Sequence, residues 1–176
     1  PLSPRTLTIT AGSTTNMNFT IPVAVGIQTP IATNPPMTKG TGQRFGLWQS
    51  FRFEDGLVGN QIECMVQDSN ATFWIGTRSG LCSYDGIGFT CYTTKQGLPD
   101  NHIQALLIDG QDRLWIGTRL GLARLDEGHF LSYNHVDGLV NPDVRALAPG
   151  KEPSQVWIGT AGGLSLFDGG SFRNYT

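Results

Sequence analysis

The tetrapeptide Trp74-Ile75-Gly76-Thr77 returns as Trp115-Ile116-Gly117-Thr118 and again as Trp157-Ile158-Gly159-Thr160, at steps of 41 and 42 residues. Each copy carries the same punctuation at matching offsets. A Gly-Leu pair follows (Gly80-Leu81, Gly121-Leu122, Gly163-Leu164), then an aspartate (Asp85, Asp126, Asp168), then an aromatic pair (Phe89 with Tyr92, Phe130 with Tyr133, Phe172 with Tyr175). Another Gly-Leu precedes each tryptophan, at Gly56-Leu57, Gly97-Leu98 and Gly138-Leu139. A period of this length restricts the chain to a repeat architecture, in which each unit buries its apolar side against the next.

One repeat, read internally, is a sheet. In the second copy the apolar run from Ile103 to Ile108 ends at the turn dipeptide Asp109-Gly110, and the run from Leu114 to Thr118 stops at Arg119-Leu120-Gly121. The run from Leu122 to Leu125 leads into Asp126-Glu127-Gly128, and Phe130 to Tyr133 follows. Four short strands joined by tight turns make a four-stranded antiparallel blade, and blades in series make an all-β propeller. Composition agrees: 23 glycines and 10 prolines turn the chain often, and no run of helix formers appears. Trp74, Trp115 and Trp157 therefore read as architecture, large rings filling the wedge between blades. Gly76, Gly117 and Gly159, with Gly80, Gly121 and Gly163, read as places of close backbone approach or of hairpin turning.

Residues 45–176 are read as propeller. Trp48-Gln49-Ser50-Phe51 matches the outer strand of later copies, so a leading outer strand precedes three full blades. Three blades do not close a ring, since propellers use about four to eight. Both end blades are expected to leave apolar faces and strand edges open. The expectation is a truncated propeller, with assembly of copies as the alternative. In residues 1–26, Leu7 and Ile9, then Met17, Phe19 and Ile21, alternate with polar residues around Ala11-Gly12-Ser13. That pattern predicts a hairpin with one apolar face, taken as the last strands of a preceding β-sandwich. Residues 27–44, rich in Pro, Thr and Gly from Pro30 to Gly42, read as a linker.

The motifs resemble those of a known family. The series Asp55-Gly56-Leu57, Asn60-x-Ile62, Gln67-Asp68, Phe73-Trp74-Ile75-Gly76-Thr77, Gly80-Leu81 and Tyr84-Asp85-Gly86 is similar to the two-component regulator propeller repeat, and Gly97-Leu98-Pro99 with Asn101 continues the likeness. It covers residues 47–176. The third copy departs from the pattern, with Pro142 where Asn60 and Asn101 stand and Pro149-Gly150-Lys151-Glu152-Pro153 in place of the Asp turn. The resemblance implies the extracytoplasmic sensor propeller of bacterial hybrid histidine kinases and related receptors. It implies a ring of seven blades, then a β-sandwich, a membrane helix and a cytoplasmic signalling module. Residues 1–26 resemble the tail of a carboxypeptidase regulatory-like sandwich. The location so implied is the periplasmic or extracellular face of a bacterial membrane protein.

A formal charge of −2 offers no electrostatic reason to expect nucleic acid or an anionic membrane surface as partner. No apolar stretch approaches the roughly 18 residues that cross a bilayer, so membrane attachment is expected only through flanking segments. No nucleophile-and-base pairing is visible, no cofactor is implied, and His102, His129 and His135 fall at different repeat positions, unlike a symmetric metal ring. Asp109-Gly110-Gln111-Asp112 offers oxygens to calcium, but the expected role of Asp68 and Asp109 is to cap their own turns. Arg78 and Arg119 follow the repeated Thr in a loop predicted to share one face with the inter-blade loop bearing Asn60, Asn101 and His102. Loops on a rigid scaffold carry function, and two arginines there suit a carboxylate or sulfate, as on a sugar. The functional expectation is a non-catalytic ligand-sensing or interaction propeller whose partner is a small molecule such as a carbohydrate, or a sister subunit in a homodimer. A propeller lyase or glycosidase and a structural interaction scaffold are the alternatives.

Three cysteines make no disulfide framework. Cys82 and Cys91 lie symmetrically about Gly86-Ile87, and the matching pairs, Ala123 with Ser132 and Ser165 with Asn174, are also small. Two buried free thiols are the expectation, and a cross-strand disulfide in an oxidising compartment is the alternative.

Overall fold

A computed structural model of the chain describes residues 5–10, 16–21, 44–45, 48–126 and 128–176. Strands β1 (Arg5–Thr10), β2 (Asn16–Ile21), β3 (Arg44–Phe45) and β4 (Trp48–Phe51) form one sheet in the order β2-β1-β4-β3. β1 and β2 are the expected hairpin, with Thr10 opposite Asn16. β1 also runs parallel to β4, with Thr6 opposite Trp48. The Ala11-Gly12-Ser13 turn and the Pro30 to Gly42 stretch lie outside the described residues.

Three antiparallel meanders follow. The first blade holds β5 (Ile62–Gln67), β6 (Phe73–Thr77), β7 (Leu81–Tyr84) and β8 (Phe89–Tyr92). The second holds β9 (Ile103–Ile108), β10 (Leu114–Thr118), β11 (Leu122–Asp126) and β12 (His129–Tyr133). The third holds β13 (Val144–Pro149), β14 (Val156–Thr160), β15 (Gly163–Phe167) and β16 (Phe172–Tyr175). The fold is all-β, and its sheets are propeller blades. The first strands of successive blades, β5, β9 and β13, pack side by side. His129, which the sequence leaves between the Asp126-Glu127-Gly128 turn and the Phe130 run, opens β12 opposite Asp126, with Gly128 at φ +83° before it.

The cores lie between blades. β6 sends Phe73 and Ile75 backward to a cluster with Phe51, Leu57 and Ile62, and Trp74 forward to one with Leu98, Ile103 and Ile116. β10 repeats this, with Leu114 and Ile116 backward and Trp115 forward onto Leu139, Val144 and Ile158. Alternation along the strand thus serves two apolar layers, which is why these strands read as unbroken apolar runs. Each fully buried aliphatic side chain of these layers contributes about 1.5–3 kcal/mol.

The two end blades differ, contrary to the expectation that both leave apolar faces open. Phe51 of β4, 2% exposed, packs against the backward face of the first blade. On the forward face of the third blade, Leu164 is 38% exposed, where its counterparts Leu81 and Leu122 are 0%.

Two features went beyond the sequence reading. A 3-10 turn precedes each blade, at Phe53–Asp55, Thr94–Gln96 and His135–Asp137. The side chain of its last residue accepts from the backbone N–H just before the turn: Asp55 from Arg52 at 2.7 Å, Gln96 from Thr93 at 2.8 Å, Asp137 from Asn134 at 2.9 Å. The second is a correction. Cys82 and Cys91 form a disulfide instead of two free thiols. The β7–β8 register sets them directly opposite with Cα atoms 4.1 Å apart, within the reach of a bond between the two sulfurs.

Gly76 and Gly117 are fixed by the next blade. A Cβ at Gly76 would lie 2.5 Å from Cys64 Sγ and 2.6 Å from Ile103 Cγ2, and one at Gly117 2.7 Å from Val144 Cγ1. At Gly159 the nearest atom, Ala146 Cβ, is 3.3 Å away. Gly117→Ala is therefore expected to cost about 1–3 kcal/mol by overpacking, and Gly159→Ala less than about 1 kcal/mol. Urea denaturation measures both, and equal costs would refute close blade approach as the reason for the glycine.

Candidate functional site

One end of the blades gathers the inter-blade segments and the turns between second and third strands. In each such turn the repeated threonine does the local work. Thr77 Oγ1 donates to Gly80 O at 2.9 Å, Thr118 Oγ1 to Gly121 O at 2.7 Å and Thr160 Oγ1 to Gly163 O at 2.8 Å. The same oxygens accept from the amides of Ser79, Leu120 and Gly162. Gly121 sits at φ +158°, where a side chain would also meet Tyr133 O at 3.0 Å. A rigid turn thus presents the residue after the threonine: Arg78, Arg119 or Ala161. The incoming segment abuts it, since Gly59 lies against Ser79 and Thr77, and Ala161 N donates to Asp143 O at 2.9 Å.

A β-bulge adds a second row. Ile62 pairs with Thr77 and Cys64 with Gly76, which leaves Glu63 as the extra residue. The same slip isolates Gln104 between Ile103 and Ala105, and Arg145 between Val144 and Ala146. Bulges re-aim side chains and recur beside functional sites. In this chain three identical bulges carry an acid, an amide and a base.

The first blade neutralises itself. Arg78 Nε meets Glu63 Oε1 at 2.6 Å, and Gln61, with its amide oxygen toward the guanidinium, accepts from Nε and Nη2 at 3.2 Å each. The third does likewise through Arg145 Nη2 and Asp143 Oδ2 at 3.0 Å. Gln104 bridges blades, its amide nitrogen donating to Val144 O at 2.7 Å and Asp143 Oδ1 at 2.9 Å. The second blade differs. Gln104 replaces the carboxylate, and Arg119 stays exposed, with no hydrogen bond or ion pair among the described residues. His102, half-buried, holds the repeat position of Gln61 and Asp143.

The sequence-predicted residues therefore part company. Arg78 is engaged by Glu63, while Arg119 is free. Asn60 and Asn101 brace the loop, since their Oδ1 atoms accept from Phe53 N and Thr94 N at 2.8 Å each. Sequence reasoning missed Gln61, Glu63, Gln104, Asp143 and Arg145. The signal available was variation between copies: polar residues of changing charge flank a position that stays β-branched and apolar, Ile62, Ile103 and Val144.

The aspartates belong to the opposite end, in the turns between first and second strands. Asp68 Oδ1 accepts from Asn70 N and Thr72 N, and Oδ2 from Trp74 Nε1 at 2.9 Å. Asp109 Oδ1 accepts from Gln111 N and Arg113 N, and Oδ2 from Arg113 Nε at 2.7 Å and Trp115 Nε1 at 2.8 Å. These carboxylates cap their turns and anchor the forward tryptophan. Arg113 and Arg124 also lie over the Trp115 ring, 5.8 and 5.6 Å from its centroid. Burial works against ionised Asp109, but the Arg113, Trp115 and backbone hydrogen bonds outweigh it and hold the carboxyl below its usual range.

Among known proteins, residues 97–119 match the family model described as two component regulator propeller. That stretch runs from the second Gly-Leu through the second Trp-Ile-Gly-Thr, the motif series present in all three blades. No curated protein matches the chain. Two similar solved structures are from B. thetaiotaomicron. One is the extracellular domain assigned to a hybrid two component system, 24% identical with a TM-score of 0.63, over 68% of this chain and 17% of that one. The other is the extracellular domain assigned to a one component system, 24% identical with a TM-score of 0.51, over 65% of this chain and 15% of that one. A third is PorZ, a surface component of the type-IX secretion system of Porphyromonas gingivalis, 20% identical with a TM-score of 0.51, over 61% and 17%. The chain thus spans about a sixth of these structures, and the likeness establishes the blade fold.

Asp109 tests the turn assignment through pH. A carboxyl with a lowered folded pKa adds stability that is present above the unfolded value near 3.9 and lost as pH falls through the folded one. Asp109→Asn is expected to lower stability by about 1–3 kcal/mol at neutral pH. The gap from wild type should close below about pH 4 in urea titrations. A pH-independent gap would refute the charged cap.

Proposed function

We propose that this segment is the extracytoplasmic sensing propeller of a bacterial signal-transduction receptor, acting by binding and not by catalysis. Its ligand face is the end carrying the inter-blade segments, and its ligand is a small molecule bearing a carboxylate or sulfate, as on a carbohydrate. The observation that carries this is Arg119. Of the three arginines that the Thr turns and bulges present on that face, Arg78 and Arg145 are neutralised by Glu63 and Asp143, and Arg119 is unpaired among the described residues. A fork of donors carried by the Thr118 turn and facing water fits an oxygen pair of a carboxylate or sulfate. His102 in the adjoining segment offers a second contact. Support for the receptor context comes from the two component regulator propeller match and from the extracellular domains among the similar structures. Among the described residues no helix is long and apolar enough to cross a membrane.

The enzyme alternative needs carboxylates or histidines gathered and free to act. On this face Glu63 and Asp143 are both occupied by arginines.

Calorimetry with uronate-containing and sulfated oligosaccharides tests the proposal. Arg119→Ala is expected to weaken binding by about 10- to 100-fold, the loss of charge-assisted hydrogen bonds, and Arg78→Ala by less than about 3-fold. Equal effects of the two substitutions, no binding by either probe, or turnover of the saccharide would defeat this reading.

A further inference from the structure

The segment entering each blade meets two facing residues on the last two strands of that blade. In the third blade, Val140 N donates to Ser165 Oγ at 3.2 Å, and Asn174 Nδ2 donates to Gly138 O at 3.0 Å. In the second, Ser132 Oγ donates to Gly97 O at 3.3 Å, and its partner Ala123 has no acceptor to offer. In the first, Val58 N donates to Cys82 Sγ at 3.4 Å, and Cys91 Sγ stands 3.3 Å from Gly56 O. The two sulfurs hold the acceptor and donor places of Ser165 and Asn174. A thiol at Cys91 has a hydrogen for the Gly56 carbonyl, whereas a disulfide sulfur has none. For Cys91, bonding across the strands and donating to the incoming segment therefore exclude one another.

We propose that the Cys82–Cys91 disulfide is a redox modification site for a dithiol reductant, and that its reduction transfers the tie of Cys91 from β7 to the Gly56 carbonyl, clamping the segment from Gly56 to Gln61. That segment ends beside Arg78 on the face carrying Arg119, so the clamp acts at the edge of that face. Cys82 is fully buried and Cys91 half-buried, so the reagent's thiolate attacks Cys91 Sγ. The S–S bond breaks with its electron pair on Cys82, which takes up a proton. The reagent's second thiolate then attacks the mixed disulfide, and Cys91 leaves and is protonated. The protein gains two electrons and two protons, and the dithiol departs as its cyclic disulfide. Cys64 takes no part: burial, then the charge of Glu63, push its thiol up to about 12, so it supplies no competing thiolate.

Hydrogen exchange of the whole chain, oxidised and then reduced with dithiothreitol, tests this. Reduction is expected to slow exchange at the Gly56 and Val58 amides by about 2- to 10-fold, the worth of one hydrogen bond, with residues 97–102 and 138–143 unchanged. Cys91→Ser, with a hydroxyl like that of Ser132, should exchange as slowly without reductant, and the Cys82→Ala, Cys91→Ala double variant faster than either. Equal or faster exchange on reduction overturns the clamp, as does a Cys91→Ser chain that behaves like the double variant. Alkylation of all three cysteines without reductant overturns the disulfide itself.

Discussion

The approach of one blade's second strand to the next blade's first strand governs this structure. Gly76 and Gly117 leave no room for a Cβ against Ile103 and Val144, and beside them Trp74 and Trp115 spread forward over the same neighbours. Each tryptophan is held at its indole N–H by an aspartate that is also closing a turn. Turn, ring and glycine thus form one unit, and what it packs against is another copy of itself. Because no blade owns a complete core, stability is shared along the stack. The third blade shows the same logic at its forward face: it lacks the aspartate, with Gly150 in its place, and its Trp157 is less buried than Trp115.

A scaffold so repetitive leaves few positions free to differ, and the free ones are concentrated. The Thr-Gly turn and the bulge are identical in geometry in all three blades, yet they present Arg78, Arg119 and Ala161 on one and Glu63, Gln104 and Arg145 on the other. Rigid backbone with varied side chains is what a recognition surface requires, since little ordering entropy is lost on binding. The cysteine pair belongs to the same economy. It occupies a site where the other blades use hydroxyl and amide groups to hold the incoming segment, and so exchanges a polar tie for a covalent one.

Much of this was legible in the residues alone. The period, the four strands of each blade, the turn role of Asp68 and Asp109 and the facing of Cys82 with Cys91 follow from spacing, because strand alternation and turn chemistry are local. Arg78, read as a candidate ligand contact, meets Glu63, which lies 15 residues away in sequence and becomes its neighbour only when the bulge turns it outward. Asn60 and Asn101, read as ligand contacts, spend their oxygens on the 3-10 turns, which apolar periodicity does not reveal. The free-thiol expectation for the cysteines failed for a related reason: spacing sets two residues opposite each other, and the separation of the backbones decides what they do there.

The sequence by itself determined the blade, its strands and the residues that must be Trp, Gly or Thr, since each of these answers to a period or a turn within some forty residues. Tertiary structure decided which charges cancel, which side chains stay open to solvent and which sulfurs bond. Those outcomes depend on distances of a few ångströms between groups far apart along the chain, and only the stacking of one blade on the next sets such distances.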